Sequence, residues 1–436
     1  MSLKSWGNIH IHKGEIFSVD SKHHVESVVE HMPSKFITHG MGRSYGDVAI
    51  NSDGAALLTK RMDRILEVDW KKGIVKAEAG VTFDDLLHLC VPQGWFLPVT
   101  PGTKFISLGG AVANDVHGKN HHKSGSFGAF IRQIGLYRSC EGFLTLSPEK
   151  NEELFKATIG GIGLTGVINW VEFQLKHIDS SNVYVENIRY NSLNEFFELS
   201  DDSHDWDYSV AWVDCFASPK KRGSGIFSRA YFANLSSEKK VHSSPSLAWP
   251  IKTPSFFLNK MSISVFNFLY KSRPIATYEG LSHYAPFFYP LDGIRSWNNL
   301  YGRQGFFQHQ CLIPPHNASE GIDRLLKLIK NSGQGSFLAV LKSHGKEISP
   351  GLLSFGGPGV SLALDFPNKG RETLDLLGKL DSIVLEYNGK NYLAKDGHMS
   401  SDTFKKMYPQ WQLLENLRDR NIMSDLWKRT ALKGLS

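Results

Sequence analysis

Two glycine-rich stretches carry the residues best equipped for chemistry. The first runs His39-Gly-Met-Gly42-Arg43-Ser44-Tyr45-Gly46-Asp47. The second runs from Pro101-Gly102-Thr103 through Ser107, Gly109-Gly110 and Asn114 to His117-Gly118-Lys119-Asn120. Glycine lets a backbone lie close against a ligand, and unhindered N–H groups beside Ser, Thr and Asn side chains can hold a diphosphate without a helix-borne fingerprint. Two such loops on one domain can grip one cofactor from both sides. A third cluster, Gly161-Ile-Gly163-Leu-Thr-Gly166, has the G-x-G-x-x-G spacing. The dinucleotide fingerprint requires a strand before it and a helix after it; here the order is reversed, so the cluster reads as a tight loop. His117-Gly-Lys-Asn-His121-His122 offers the commonest metal-ligand type. No Cys or paired carboxylate completes a set and the flanks are basic, so no metal is expected. No P-loop is present, which removes the usual support for Walker-type phosphoryl transfer.

The elements that must position these loops follow from periodicity. Val25, Val28 and Val29 at helical spacing precede a short apolar run, Phe36-Ile37-Thr38, that ends in the first glycine loop. Strand-like runs 65–68 and 74–79 flank the Lys71-Lys72-Gly73 turn. Thr82 with Asp85 forms a capping box for a helix over 83–89, and 95–99 returns as a short strand. Residues 151–158 read as a helix and 167–175 as an alternating strand that closes a first domain, 1–178. From 179 to 390, strands over 184–190, 208–213, 229–233, 336–342 and 360–366 mix with helices over 193–199, 318–329 and 371–386. That mixture predicts a second α+β domain on an antiparallel sheet. Residues 391–436 form a C-terminal segment.

Composition narrows the function classes. The chain has 436 residues, 41% of them hydrophobic and 21% charged, enough apolar material for a large core. The net charge of +6 is slight for this length, and the basic runs at 220–222 and 239–240 lack the aromatic interleaving of a nucleic-acid groove. Four scattered cysteines with no C-x-x-C pair predict reduced, buried thiols. The N-terminus lacks an apolar h-region and no uncharged apolar stretch is long enough for a membrane span, so a cytoplasmic protein is expected.

Taken in order, Met-Gly-Arg-Ser-Tyr-Gly-Asp, Pro-Gly-Thr with Gly-Gly-Ala, His-Gly-Lys-Asn-His-His with Gly-Ser-Phe-Gly, and Gly-Leu-Thr-Gly resemble the FAD-linked oxidases of the vanillyl-alcohol oxidase superfamily. The likeness is greatest to those that oxidise polyprenylphosphoryl ribose. It extends through Ala211-Trp212, Pro290-Leu291-Asp292, Trp297-Asn298, 305–310, Asp365-Phe366-Pro367 and 392–396. The resemblance implies a two-domain PCMH-type FAD-binding fold of the α+β class with an inserted substrate domain and a C-terminal segment, 391–436, that returns to the FAD-binding domain. It implies that Gly42, Arg43, Ser44, Pro101, Gly102, Thr103, Gly109, Asn114, His117, Gly118 and Val167 or Ile168 lie along FAD. It also places Tyr45, Lys119, Gln308, Gln310, Lys342 and Lys395 in the cleft before the isoalloxazine. Covalently flavinylated members often carry His near Arg43 and Ser44; its absence there implies non-covalent FAD. Ala363 stands where the nearest family type has Cys, Ser361 where it has Asn, and Phe288-Tyr289 where it has Tyr-His. These departures fall on the substrate side.

Oxidising a secondary alcohol needs a hydride acceptor, a place for the hydroxyl proton, and positive charge near the reduced flavin. Flavin N5 is expected to take the hydride and Lys395 to assist deprotonation, its pKa lowered by burial and by Lys342. His117 would position the ring system and substrate, and Gln308 and Gln310, two apart on one strand face, would fix sugar hydroxyls. The expected substrate is a lipid-linked phosphopentose oxidised at its 2′-hydroxyl, the first half of an epimerisation completed by a short-chain dehydrogenase. The rival readings are a soluble sugar, alditol or aldonolactone oxidase that uses oxygen, and a flavin-binding protein without turnover. Residues 243–278, with Phe256, Phe257, Phe266, Phe268 and Tyr270 beside Lys and Arg, read as a lid, a packed loop or a patch for peripheral contact with the inner membrane.

Overall fold

The computed structural model describes residues 3–33, 35–235, 239–241, 247–249, 253 and 259–434. Phe256 and Phe257 lie outside the described residues. Near the N-terminus a parallel three-stranded sheet has the order Ile16–Ser18, Ala55–Leu58, Phe36–His39. Beside it an antiparallel sheet runs Ile65–Asp69, Ile74–Glu78, Val167–Gln174, Ile131–Arg138, Gly142–Leu146. Its central strand places Val171 between Ala77 and Ile134. All three are buried in an apolar core shared with the helix Phe83–Cys90. The expected capping box opens that helix: Thr82 accepts from Asp85 N–H while the Asp85 carboxylate accepts from Thr82 N–H at 3.0 Å. The strand expected over 95–99 ends after Trp95–Phe96, because residues 97–100 turn toward the second glycine loop.

The larger sheet has eight antiparallel strands in the order Glu279–His283, Asn182–Tyr190, Gly225–Phe232, Tyr208–Val213, Ala339–His344, Gly359–Pro367, Phe306–Ile313, Lys390–Asn391. Strand period decides what each face carries. Cys311, Ile313, Leu341, Leu362 and Leu364 pack against the helices Pro315–Ser332 and Arg371–Glu386 in one core. The other face aligns Trp212, Val340, Ala363 and Gln310 in one row, with Lys342 opposite Ser361 and Asp365 opposite Gln308. The helix Arg371–Glu386 has the expected bounds, since its apolar residues recur every three or four positions and Gly370 precedes it.

The tail closes back on the N-terminal sheets. After Lys390–Asn391, the helices Ser401–Met407, Trp411–Leu417 and Asp425–Thr430 lead back to Phe36, which donates to the Asn421 carbonyl and accepts from Met423 N–H. Asp425 accepts from the Ser52 N–H at 2.9 Å and its hydroxyl at 2.5 Å. Among the expected buried thiols, Cys140 is the exception: it is exposed in the turn between Ile131–Arg138 and Gly142–Leu146. No helix among the described residues is long and apolar enough to cross a membrane. Asp425→Ala is expected to cost about 1–3 kcal/mol by stranding the Ser52 donors, read as a lower melting temperature. An unchanged Tm would show that the tail is held elsewhere.

Candidate functional site

Three segments distant in sequence meet above the open face of the large sheet. The first glycine loop abuts the second so closely that a Cβ on Gly40 would stand 2.3 Å from Ser107 Oγ. It abuts the tail just as closely, since a Cβ on Gly46 would stand 1.5 Å from the Asp396 carbonyl; only glycine allows both approaches. Segment 392–396 is pinned on three sides. Tyr392 N–H donates to the Gln310 carbonyl at 2.8 Å, Tyr45 N–H donates to the Ala394 carbonyl at 3.1 Å, and Tyr392 Oη donates to the Asn114 carbonyl at 2.8 Å. Asp115, at a φ of 40°, anchors the second loop by accepting from Ser126 Oγ and Gly128 N–H.

Lys395 is thereby carried into the cleft, its Nζ 3.8 Å from the centre of the Tyr45 ring. Burial pushes its ammonium down to about 7; Asp365 opposes that shift and Lys342 reinforces it. Lys342 is lowered to about 8 by burial, and Lys119 to about 7 by burial and by Lys342. Lys119 donates to the Phe287 carbonyl and stands 4.2 Å from that ring. The carboxylate facing Lys395 is Asp365, raised to about 7 by burial, which accepts from Gln308 at 2.5 Å and from the Tyr301 hydroxyl at 3.3 Å. Gln310 donates to His117 Nε2 at 2.8 Å. His117 is neutral, since burial first and then Lys342 hold its pKa well below the usual value. Its proton therefore sits on Nδ1, which has no partner among the described residues.

Beneath Lys395 lies a buried ionic chain. Arg429 donates to Asp47 Oδ1 and to Asp396 Oδ2, each at 2.8 Å. His398 lies 3.3 Å from Asp396 Oδ1 and 3.1 Å from Asp381 Oδ2, and His309 lies 3.1 Å from Asp381 Oδ1. Burial works against the charges of His309 and Asp381, but the partners prevail: His309 is raised to about 9 by its bond to Asp381, and Asp381 is held below the usual carboxylate range by the two imidazoliums.

The structure thus brings Tyr45, Lys119, Gln308, Gln310, Lys342, Lys395 and His117 to one cleft. Val167 and Ile168 differ: both side chains are packed in apolar cores, and their main chain pairs with Tyr137 and Leu136 in the sheet. Sequence reasoning passed over Asp365, whose signal was a lone carboxylate in an otherwise apolar strand. It also passed over Asp292, which accepts from the Thr103 hydroxyl and from Lys104 N–H at 2.9 Å and faces Arg43. The Asp381 chain gave no local signal. Gly42-Arg-Ser44-Tyr-Gly46 also has the G-x-S-x-G spacing. The strand before it is followed by turns and no helix, so it builds no nucleophile elbow.

One acceptor and one donor suit a flavin dinucleotide. Asn114 Oδ1 and His117 Nδ1 are buried without partners among the described residues, and a Cβ on Gly102 would meet nothing within 4 Å, leaving open space before the second loop. Residues 16–142 match an FAD binding domain. The chain is 34% identical to decaprenylphosphoryl-β-D-ribose oxidase of Mycolicibacterium smegmatis, over 91% of this chain and 89% of that protein. It is 29% identical to an uncharacterized protein of Streptomyces coelicolor over 79% of this chain and 96% of the relative. A shorter match to human delta(24)-sterol reductase has 32% identity, over 26% of this chain and 22% of that protein.

Asp381→Asn should destabilise the fold by about 3–5 kcal/mol, because it strips a buried charge from two imidazoliums; denaturant unfolding measures it. His309 stays protonated to about pH 9 in the fold but only to about 6.5 when unfolded. Its contribution is therefore complete below pH 6.5 and is lost as the pH rises through 9. A flat stability profile across that window would remove the ionic chain as a source of stability.

Proposed function

Because the chain belongs to the family of FAD-dependent oxidases that includes decaprenylphosphoryl-β-D-ribose oxidase, we propose that it oxidises the 2′-hydroxyl of a polyprenyl-phosphate-linked pentose to the ketone. The protein is an oxidoreductase of the CH–OH class with FAD as its cofactor. Gly42, Arg43, Ser44, Pro101, Gly102, Thr103, Gly109, Asn114, His117 and Gly118 would hold the dinucleotide, non-covalently, since no histidine stands at Arg43 or Ser44. When bound, the flavin supplies the acceptor for the hydride that leaves the sugar carbon.

One arrangement carries this reading: Lys395 is buried with its Nζ 3.8 Å from the centre of the Tyr45 ring, beside Asp365 and Lys342, and burial lowers its ammonium to about 7. A neutral amine in that place takes the hydroxyl proton as the carbon is oxidised, and its pKa near the working pH suits a general base. Gln308, oriented by Asp365, and Gln310, oriented against His117, present amides to the sugar. Lys119 and Lys342 bring more positive charge than Asp365 can balance. That excess favours a phosphodiester-bearing substrate over a neutral alditol. The ketone would pass to a short-chain dehydrogenase, giving net epimerisation.

Anaerobic mixing of the yellow protein with candidate sugars tests the substrate: bleaching by a polyprenylphosphoryl ribose and not by free alditols is expected, and the reverse order would sink the proposal. Lys395→Met should lower kcat by about 10²–10⁴-fold with flavin still bound. The wild-type kcat/KM should rise with pH through an apparent value near 7. Asp365→Asn removes a charge that raises the Lys395 pKa, so its limb should move to lower pH. Lys342→Met removes one that lowers it, so its limb should move to higher pH. Limbs that stay in place would dismiss Lys395 as the titrating base.

A further inference from the structure

The helix Lys260–Ser272 is apolar on two sides. Its inner face is accounted for. Ile263 and Asn267 are buried, Asn267 donates to Asp214 Oδ1 at 2.7 Å, Phe266 meets Phe337 edge-on at 5.0 Å, and Tyr270 packs on Trp212 at 4.8 Å. Its outer face is not: Met261, Val265, Phe268 and Leu269, at i, i+4, i+7 and i+8, are 76%, 54%, 71% and 60% exposed. Four large apolar side chains in one stripe on the water side of a helix mark a surface that meets something.

Charge identifies the partner. The helix and its exit, residues 259–278, hold Lys260, Lys271 and Arg273 and no Asp or Glu. Lys271, which faces Asp214 and Glu195, also faces Lys221 and Arg189. An outward apolar stripe set in a basic surround fits a negatively charged bilayer, where the side chains enter the acyl boundary and the cations meet headgroups. The helix is also continuous with the cleft. Trp212, beneath Tyr270, belongs to the row that runs through Val340 and Ala363 to Gln310. We propose that the outer face of Lys260–Ser272 docks the protein on an anionic lipid surface. This holds whichever sugar the cleft accepts.

Flotation of the flavin-loaded full chain with vesicles of phosphatidylcholine, with and without phosphatidylglycerol, tests it using no substrate. Recovery with the anionic vesicles, reduced by high salt, is expected. The double substitution Phe268→Ser/Leu269→Ser should lower the apparent affinity about tenfold or more with flavin content and Tm unchanged, because both side chains face water. Equal flotation of the variant, or no capture of the wild type by anionic vesicles, would overturn the proposal. So would a dimer in solution that the same substitutions dissociate without any vesicle binding.

Discussion

Six ionic side chains alternate in sign through the interior, from Asp47 to Arg429, Asp396, His398, Asp381 and His309. They come from the first glycine loop, the last helix, the segment after Lys395, a helix behind the large sheet, and the strand that carries both glutamines. Burying any one alone would cost several kcal/mol, so each is tolerable only while its neighbours are in place. The chain therefore makes the relative position of loop, tail and sheet nearly all-or-none. Lys395 precedes Asp396 directly, so the cleft lysine inherits that placement.

Above this paired interior, the cleft follows the opposite rule. Lys119, Lys342 and Lys395 are taken out of water with one carboxylate, Asp365, among them. Desolvation that costs stability here brings these amines toward the neutral range, where an amine can accept a proton. The unpaired positive charge also leaves the cleft complementary to anions. A neutral His117 is held in one tautomer by Gln310, which leaves a buried Nδ1 donor without a partner among the described residues. The same sheet row links this cleft to the exposed helix, so the cleft and the outward apolar stripe share one sheet.

Much was legible from the residues alone. Period-2 spacing placed Gln308 and Gln310 on one face, and the intervening His309 does turn to Asp381 on the other side. The Thr82 and Asp85 pair wrote its own capping box, and the inverted flanks of Gly161 to Gly166 did separate a loop from a nucleotide fingerprint, with Glu152–Thr158 before it and Val167–Gln174 after it. These are local properties, set by chain geometry over a few residues.

What the tertiary structure alone decided is which distant groups share a low-dielectric space. Nothing near Asp365 in sequence announces that Lys395 faces it, nor that Asp292 would reach across to Thr103 and Arg43. Strand pairing 57 residues apart, as between Gln308 and Asp365, has no local signature. Nor does the pKa of a lysine, which depends on lost water and on charges from other elements. The sequence by itself determined the glycine loops, the strand faces and the flavin-binding family likeness, because those are written in spacing and residue type. The poised lysines and the alternating ionic chain exist only once the tail has returned, because electrostatics in a protein interior is a property of three-dimensional proximity.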